Sequence, residues 1–157
     1  MEFSGFSLFS LVLVSFLVAP ALTCTMSFKP CPGVPLKGQL VKAQFNGTCQ
    51  GPLAILKKGT SVAIDFTFKA NLDESKLTSK VSGKIGDFPY VNFPLSNADA
   101  CKDSGLKCPI KASTTQNYTP ILEVKSYFPS VNVFVKWQLV DGANNDVFCA
   151  IIPAQIV

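Results

Sequence analysis

The sequence contains no histidine and no arginine; all 14 of its basic residues are lysine. Without histidine there is no Ser-His-Asp or Cys-His arrangement and no imidazole general base. Without arginine there is no planar fork to clamp a phosphate and no favoured reader of guanine edges. The chain also lacks a glycine-rich phosphate loop, an internal repeat and a low-complexity tract. Past the N-terminal segment, no window longer than about ten residues carries a helical apolar stripe. Zinc would have to be held by cysteine and carboxylates alone, and the spacing Cys101-x6-Cys108 is wider than in a usual zinc hairpin. The carboxylates Asp65, Asp73, Glu74, Asp87, Asp99, Asp103, Glu123, Asp141 and Asp146 fall mostly in turns or on outward positions. A glycosidase-type pair among them would have to be made by folding. The expectation is therefore a non-enzymatic protein with no catalytic residues, no metal, no cofactor and no nucleic-acid partner.

What is present is one long apolar run, scattered charge and six cysteines. "FSLFSLVLVSFLVAPALTC" has the length and small-residue end of a signal peptide, and Ser10, Ser15 and Pro20 interrupt it. A transmembrane helix needs about 20 apolar residues, and no cationic flank follows to stop transfer. Cleavage after Ala21 or Thr23 assigns residues 1–23 to a leader and 24–157 to the mature domain. The n-region departs from the usual pattern, carrying Glu2 and no lysine. Losing Glu2 raises the formal charge from +4 to +5. Only Lys57 and Lys58 are adjacent, so the lysines read as a solvated surface that also suits contact with anionic lipid. Cys24, Cys31, Cys49, Cys101, Cys108 and Cys149 in a short exported chain indicate a disulfide framework, whose fifteen pairings sequence does not choose between. Two N-glycosylation sequons, Asn46-Gly47-Thr48 and Asn117-Tyr118-Thr119, fit the same compartment.

The remaining chain alternates. A period of two places successive side chains on opposite faces of a sheet. "QLVKAQF" sets Val41, Ala43 and Phe45 against Lys42 and Gln44. "TSVAIDFTFK" sets Val62, Ile64, Phe66 and Phe68 against Ser61, Ala63, Asp65, Thr67 and Lys69. "KVSGKIGDF" offers Val81 and Ile85, and "YVNFPL" is a short strand ended by Pro94. "NYTPILEVKSYF" places Tyr118, Leu122, Val124 and Phe128 on one face. "YFPSVNVFVKWQL" continues with Val131, Val133, Val135, Trp137 and Leu139; Asp141-Gly142 and Asn144-Asn145 then mark a turn before "DVFCAIIPAQIV". About seven alternating strands predict an all-β, immunoglobulin-like sandwich of antiparallel strands in two sheets. Phe66, Phe68, Val133 and Val135 read as plain sandwich core.

From Cys101 to the end the chain resembles the lipid-recognition (ML) domain family, in its sterol-carrying branch. The pattern is Cys101…Cys108-Pro109-Ile110, then Tyr127-Phe128-Pro129-Ser130, then Val135-Lys136-Trp137-Gln138-Leu139, then Phe148-Cys149 and Ile152-Pro153. "FPYVNFPL", "LKKGTSVAIDFTF" and Cys31 extend it upstream. The resemblance implies a sandwich whose slightly splayed sheets enclose an apolar tunnel for one lipid. Carried over position by position, Phe93 matches an aromatic at the tunnel mouth, and Val124 and Phe128 match lining positions. Val91, Pro129, Trp137 and Ile110 are secondary candidates. The family pairing joins Cys31 to Cys149 and Cys101 to Cys108. Its third disulfide closes a short loop whose first member is Cys49 here and whose second is replaced near Ala54, which leaves Cys24 either as the partner of Cys49, the pairing favoured, or lost with the leader. Phe128 also stands where the family usually has tyrosine.

The resemblance implies a monomeric carrier of one sterol, meeting membranes transiently and handing its cargo to a membrane or a membrane sterol transporter. Its place would be extracellular, or the lumen of endosomes and lysosomes. The alternatives are a carrier or recogniser of another lipid on the same scaffold (fatty acid, phospholipid, microbial lipid or hydrophobic signal), or a ligand-free structural immunoglobulin-like domain.

Overall fold

The computed structural model describes residues 23–157; the leader expected over 1–23 lies almost wholly outside them. The strands are β1 (Cys24–Thr25), β2 (Lys29–Pro30), β3 (Gly38–Phe45), β4 (Cys49–Gln50), β5 (Leu53–Leu56), β6 (Thr60–Ala70), β7 (Leu77–Lys84), β8 (Val91–Phe93), β9 (Thr115–Tyr118), β10 (Ile121–Val124), β11 (Asn132–Asp141) and β12 (Asp146–Ile156). No helix occurs among the described residues. One sheet runs β1-β3-β6-β10, with β9 also on β6; the other runs β4-β5-β12-β11-β7-β8, with β2 on β12. Pairing is antiparallel except between β5 and β12, where Ala154 lies opposite Ala54 in a parallel ladder.

The alternation read from sequence is visible most plainly in β6, where Val62, Ile64, Phe66 and Phe68 are buried and Ser61, Asp65 and Lys69 are exposed. It fails at Val41, which is 52 % exposed. The register on β6 shifts between Leu40 and Lys42. The extra residue flips parity, so Leu40 packs against the core before the bulge and Ala43 and Phe45 after it. Ile85 lies beyond the end of β7 and is exposed. The single strand expected from "NYTPILEVKSYF" is divided into β9 and β10. Proline has no N–H to give a ladder, and Pro120 sits at the break. Both pieces keep one register on β6, with Asn117 opposite Thr67 and Leu122 opposite Val62. Phe128 is not on this strand but in the turn after it, its N–H donating to the Lys125 carbonyl at 3.2 Å.

The core is dominated at its centre by five rings. Phe66 lies 6.1 Å from Tyr118, 5.2 Å from Trp137 and 5.4 Å from Phe148, centroid to centroid; Phe68 lies 5.4 Å from Phe148. One polar chain crosses this block. Trp137 Nε1 donates to Ser79 Oγ at 3.2 Å, and Ser79 Oγ shares a hydrogen bond with the Tyr118 hydroxyl at 2.6 Å. Ser79 and Trp137 belong to the seven-stranded sheet and Tyr118 to the five-stranded one, so the hydrogen bonds join the sheets. An unpaired hydroxyl or indole there would lose its hydration uncompensated, a cost of about 1–3 kcal/mol.

The disulfides are Cys24–Cys49, Cys31–Cys149 and Cys101–Cys108. The first ties β1 to β4 and hence one sheet to the other. The second holds the chain after β2 against β12. The third closes a loop within the long connection between β8 and β9, which is anchored by the buried Ala100, Leu106 and Ile110.

Two outcomes are expected. The Tyr118 hydroxyl is pushed up to about 12 by burial, partly offset by its bond to Ser79. The unfolded chain releases that proton near pH 10. Between these values the unfolded state holds fewer protons, so stability falls as pH rises. Urea titrations from pH 9 to 12 should show this fall, and Tyr118→Phe should make it shallower while costing about 1 kcal/mol at neutral pH. Separately, loop-closure entropy predicts that losing Cys31–Cys149, 118 residues apart, costs about 5 kcal/mol, against about 2 kcal/mol for Cys101–Cys108, seven apart. Melting of the two double-serine variants checks the order.

Candidate lipid-binding cavity

Inward residues shrink toward one end of the sandwich. Along β6, from its C-terminal end, they read Phe68, Phe66, Ile64, Val62; along β11 Trp137, Val135, Val133; and along β7 they end on Val81 and Gly83. The registers align these series, since Gly83 lies opposite Val135 and Val81 opposite Trp137. The rings therefore set the sheet spacing at the centre, and the small aliphatic side chains beyond them cannot fill it.

The space that results is lined on the seven-stranded sheet by Leu56, Val81, Val133, Val135 and Ile156, and on the other by Leu122 and Val124. Phe93, Pro94, Leu95, Tyr127 and Phe128 close over its open side, where Ser96, Glu123 and Lys125 are the polar residues. It is a cavity of about 100 Å³. The interior is thus narrow when empty. Phe93 and Phe128 face each other at 5.3 Å across the mouth, and Tyr127 meets Phe128 edge-on at 5.2 Å. Tyr127 is 79 % exposed.

The seven lining candidates from sequence separate in space. Phe93, Val124 and Phe128 border the cavity together. Trp137 does not; it is fully buried among Phe66 and Ser79 in the packed centre. Ile110 is buried elsewhere, exchanging backbone hydrogen bonds of 2.9 and 3.1 Å with Glu74. Val91 is 61 % exposed, and Pro129 is exposed on the turn beyond Phe128. Conversely, Val133 and Val135, read as plain core, form part of the wall. Val81, Leu56, Ile156 and Gly83 carried no signal as single residues; the signal was the size gradient across strands that only register brings side by side.

The charged groups at the mouth are paired. Lys125 Nζ donates to the Glu123 carboxylate, which holds that carboxyl below its usual range and raises the ammonium of Lys125. Lys58 Nζ donates to Ser130 Oγ at 2.7 Å, and the Gly59 N–H to the Val124 carbonyl at 2.7 Å, fastening the β5–β6 turn beside the mouth. Among the described residues no group of histidine, cysteine or carboxylate side chains could hold a metal, and no helix is long and apolar enough to cross a membrane.

Gly83 gives the Phe93 ring its place. A Cβ there would stand 2.4 Å from Phe93 Cε2 and 3.2 Å from Val133 Cγ2. Gly83→Ala should displace the ring and change the affinity for an apolar fluorescent probe by about tenfold, on the order of 1.4 kcal/mol. Gly51→Ala, with open space around it but a left-handed backbone (φ 58°), should lower stability while leaving probe affinity unchanged.

Comparison with known proteins agrees with this geometry. A family model described as the ML domain matches residues 25–156. NPC intracellular cholesterol transporter 2 of Danio rerio is 36% identical over 148 residues, 93% of this chain and 94% of that protein. The ecdysteroid-regulated 16 kDa protein of Manduca sexta is 43% identical over 102 residues, 65% of this chain and 69% of that protein. Among solved structures, a Niemann-Pick type C2 protein from Japanese carpenter ant superposes with a TM-score of 0.75 at 22% identity, covering 84% of this chain and 100% of that one. Chicken MD-1, complexed with lipid IVa, superposes at 0.50 and 13% identity over 84% of this chain and 95% of that one. With a family model spanning residues 25–156 and relatives aligned across nearly its whole length, this chain belongs to the ML domain family.

Proposed function

We propose that the protein is a lipid carrier that holds a single sterol between its sheets and exchanges it with membranes. The observation that carries the reading is an apolar space left by the inward size gradient and covered by two facing aromatic rings. The cholesterol-transporter names of relatives such as that of Danio rerio support the choice of a sterol. The driving force is burial. A sterol presents several hundred Å² of apolar surface, on the order of 10 kcal/mol at about 25 cal/mol per Å² before the costs of association. Few polar contacts are needed to orient such a ligand.

The narrow interior makes entry a mechanical step. Phe93 and Phe128 rotate outward, and the sheets part at the end where no large ring holds them. Phe128 sits on a turn rather than a strand, so it moves without breaking ladder hydrogen bonds. The mouth carries exposed Tyr127 with Lys58 beside it, whose partner Ser130 leaves its charge uncompensated, a rim suited to an anionic bilayer. In this reading the protein works after export, as a monomer, on a bilayer surface or a membrane sterol transporter.

Native mass spectrometry of the secreted protein, with extraction of bound lipid, is the test. A co-purified or stoichiometrically titratable sterol is expected; a different lipid would keep the carrier and replace its cargo, and no uptake of any lipid would sink the proposal. Val124→Asp puts a charge in the wall and should reduce sterol affinity by at least a hundredfold, with the β-sheet circular dichroism unchanged. Retained affinity would show that the ligand sits elsewhere.

A further inference from the structure

Polar side chains border the cavity at one place, and that place is the mouth. Away from it the walls are apolar. Behind them Trp137, Ser79 and Tyr118 are bonded to one another inside the packed block. An amphipathic ligand in this space therefore keeps its polar group at the open side, because a hydroxyl carried inward would lose its hydration and find no partner. At the open side stand Ser96, Glu123 and Lys125.

The three come from both lips of the opening. Glu123 lies in β10 between Leu122 and Val124, and both of those border the cavity. Ser96 follows Phe93, Pro94 and Leu95 in the segment that covers the space after β8. Lys125 follows Val124 and donates to Glu123 Oε2. Hydrogen bonding from Lys125, with a smaller contribution from Ser96, holds the Glu123 carboxyl below its usual range, so it is ionised at neutral pH. Its side chain is 41 % exposed, and a carboxylate has about four lone-pair sites, so it has room for a further donor. The Glu123–Lys125 pair is neutral as a unit. Lys58 nearby is turned to Ser130 and does not border the cavity. A ligand hydroxyl brings a donor to an ionised acceptor. An anionic head brings acceptors alone, to a carboxylate whose cation is already engaged.

We propose that the Glu123 carboxylate accepts a hydrogen bond from the hydroxyl of the bound lipid, and that the Ser96–Glu123–Lys125 cluster selects uncharged, hydroxyl-bearing lipids over lipids with an anionic head. The inference rests on the carrier reading and adds to it the polarity of the cargo and its orientation, apolar body inward and hydroxyl at the mouth. Glu123 is the specificity-determining residue. Lys125 sets the sign of the selection: paired, it offers an anionic head no free charge, and without Glu123 it is an unpaired cation at the opening.

The test is displacement of an apolar fluorescent probe from the full secreted chain by cholesterol, its 3-ketone and its 3-sulfate. The ketone keeps the sterol body but cannot donate. Cholesterol should bind about fivefold tighter than the ketone, the worth of a hydrogen bond to a half-exposed charged acceptor. It should bind about tenfold tighter than the sulfate, which meets a like charge. Glu123→Ala should bring cholesterol and the ketone within about twofold of each other and make the sulfate the tightest of the three, with the affinity of the probe itself unchanged. Lys125→Gln should keep cholesterol ahead of the ketone and weaken the sulfate further. Equal binding of cholesterol and the ketone by the unaltered protein, or a cholesterol-to-sulfate ratio that Glu123→Ala does not move, would overturn the selection and leave the carrier reading standing. Failure of all three sterols to displace the probe would overturn both.

Discussion

The packing of Phe66 against Trp137, Tyr118 and Phe148 is the contact on which the other features depend. Those rings hold the sheets at one spacing, and the Trp137–Ser79–Tyr118 hydrogen bonds fix how the faces meet. A sandwich filled uniformly with such residues would be a solid core. Here the same spacing continues over Val62, Val81, Gly83, Val124, Val133 and Val135, whose side chains are too short to span it. The cavity is therefore a consequence of the aromatic block and needs no separate device to prop it open.

Stability and binding are thereby divided between two ends of one core. The packed centre carries the rings and the buried polar chain. The other end carries the mouth, where Phe93 and Phe128 meet across the opening on a three-residue edge strand and a turn. Elements with few ladder bonds open at lower cost than central strands. The Cys24–Cys49 bridge holds the sheets together through β1 and β4 while leaving the aromatic covering of the cavity free of covalent constraint.

Much of this was legible in local pattern. The burial of Val62, Ile64, Phe66 and Phe68 follows from alternation alone, because a pleated strand must send every second side chain to one face. Alternation misplaced Val41, since a bulge adds a residue without leaving a mark in composition. It joined β9 to β10 correctly in register but could not see that Pro120 interrupts the strand or that Phe128 leaves it for a turn. The family resemblance pointed first to Phe93, Val124 and Phe128, which do border the space, and secondarily to Trp137 and Ile110, which belong to packed regions.

The sequence by itself determined the chemistry of the molecule. No histidine and no arginine, six cysteines and strand-length alternation left an all-β, disulfide-linked binding protein, because those properties depend on which groups exist and how they repeat along one strand. Only the tertiary structure decided which apolar residues pack and which enclose a space. Trp137 and Val133 share one face of one strand and are indistinguishable by period. What separates them is the residue across the gap: a phenylalanine ring that fills the space beside Trp137, and short aliphatic side chains that leave it open beside Val133.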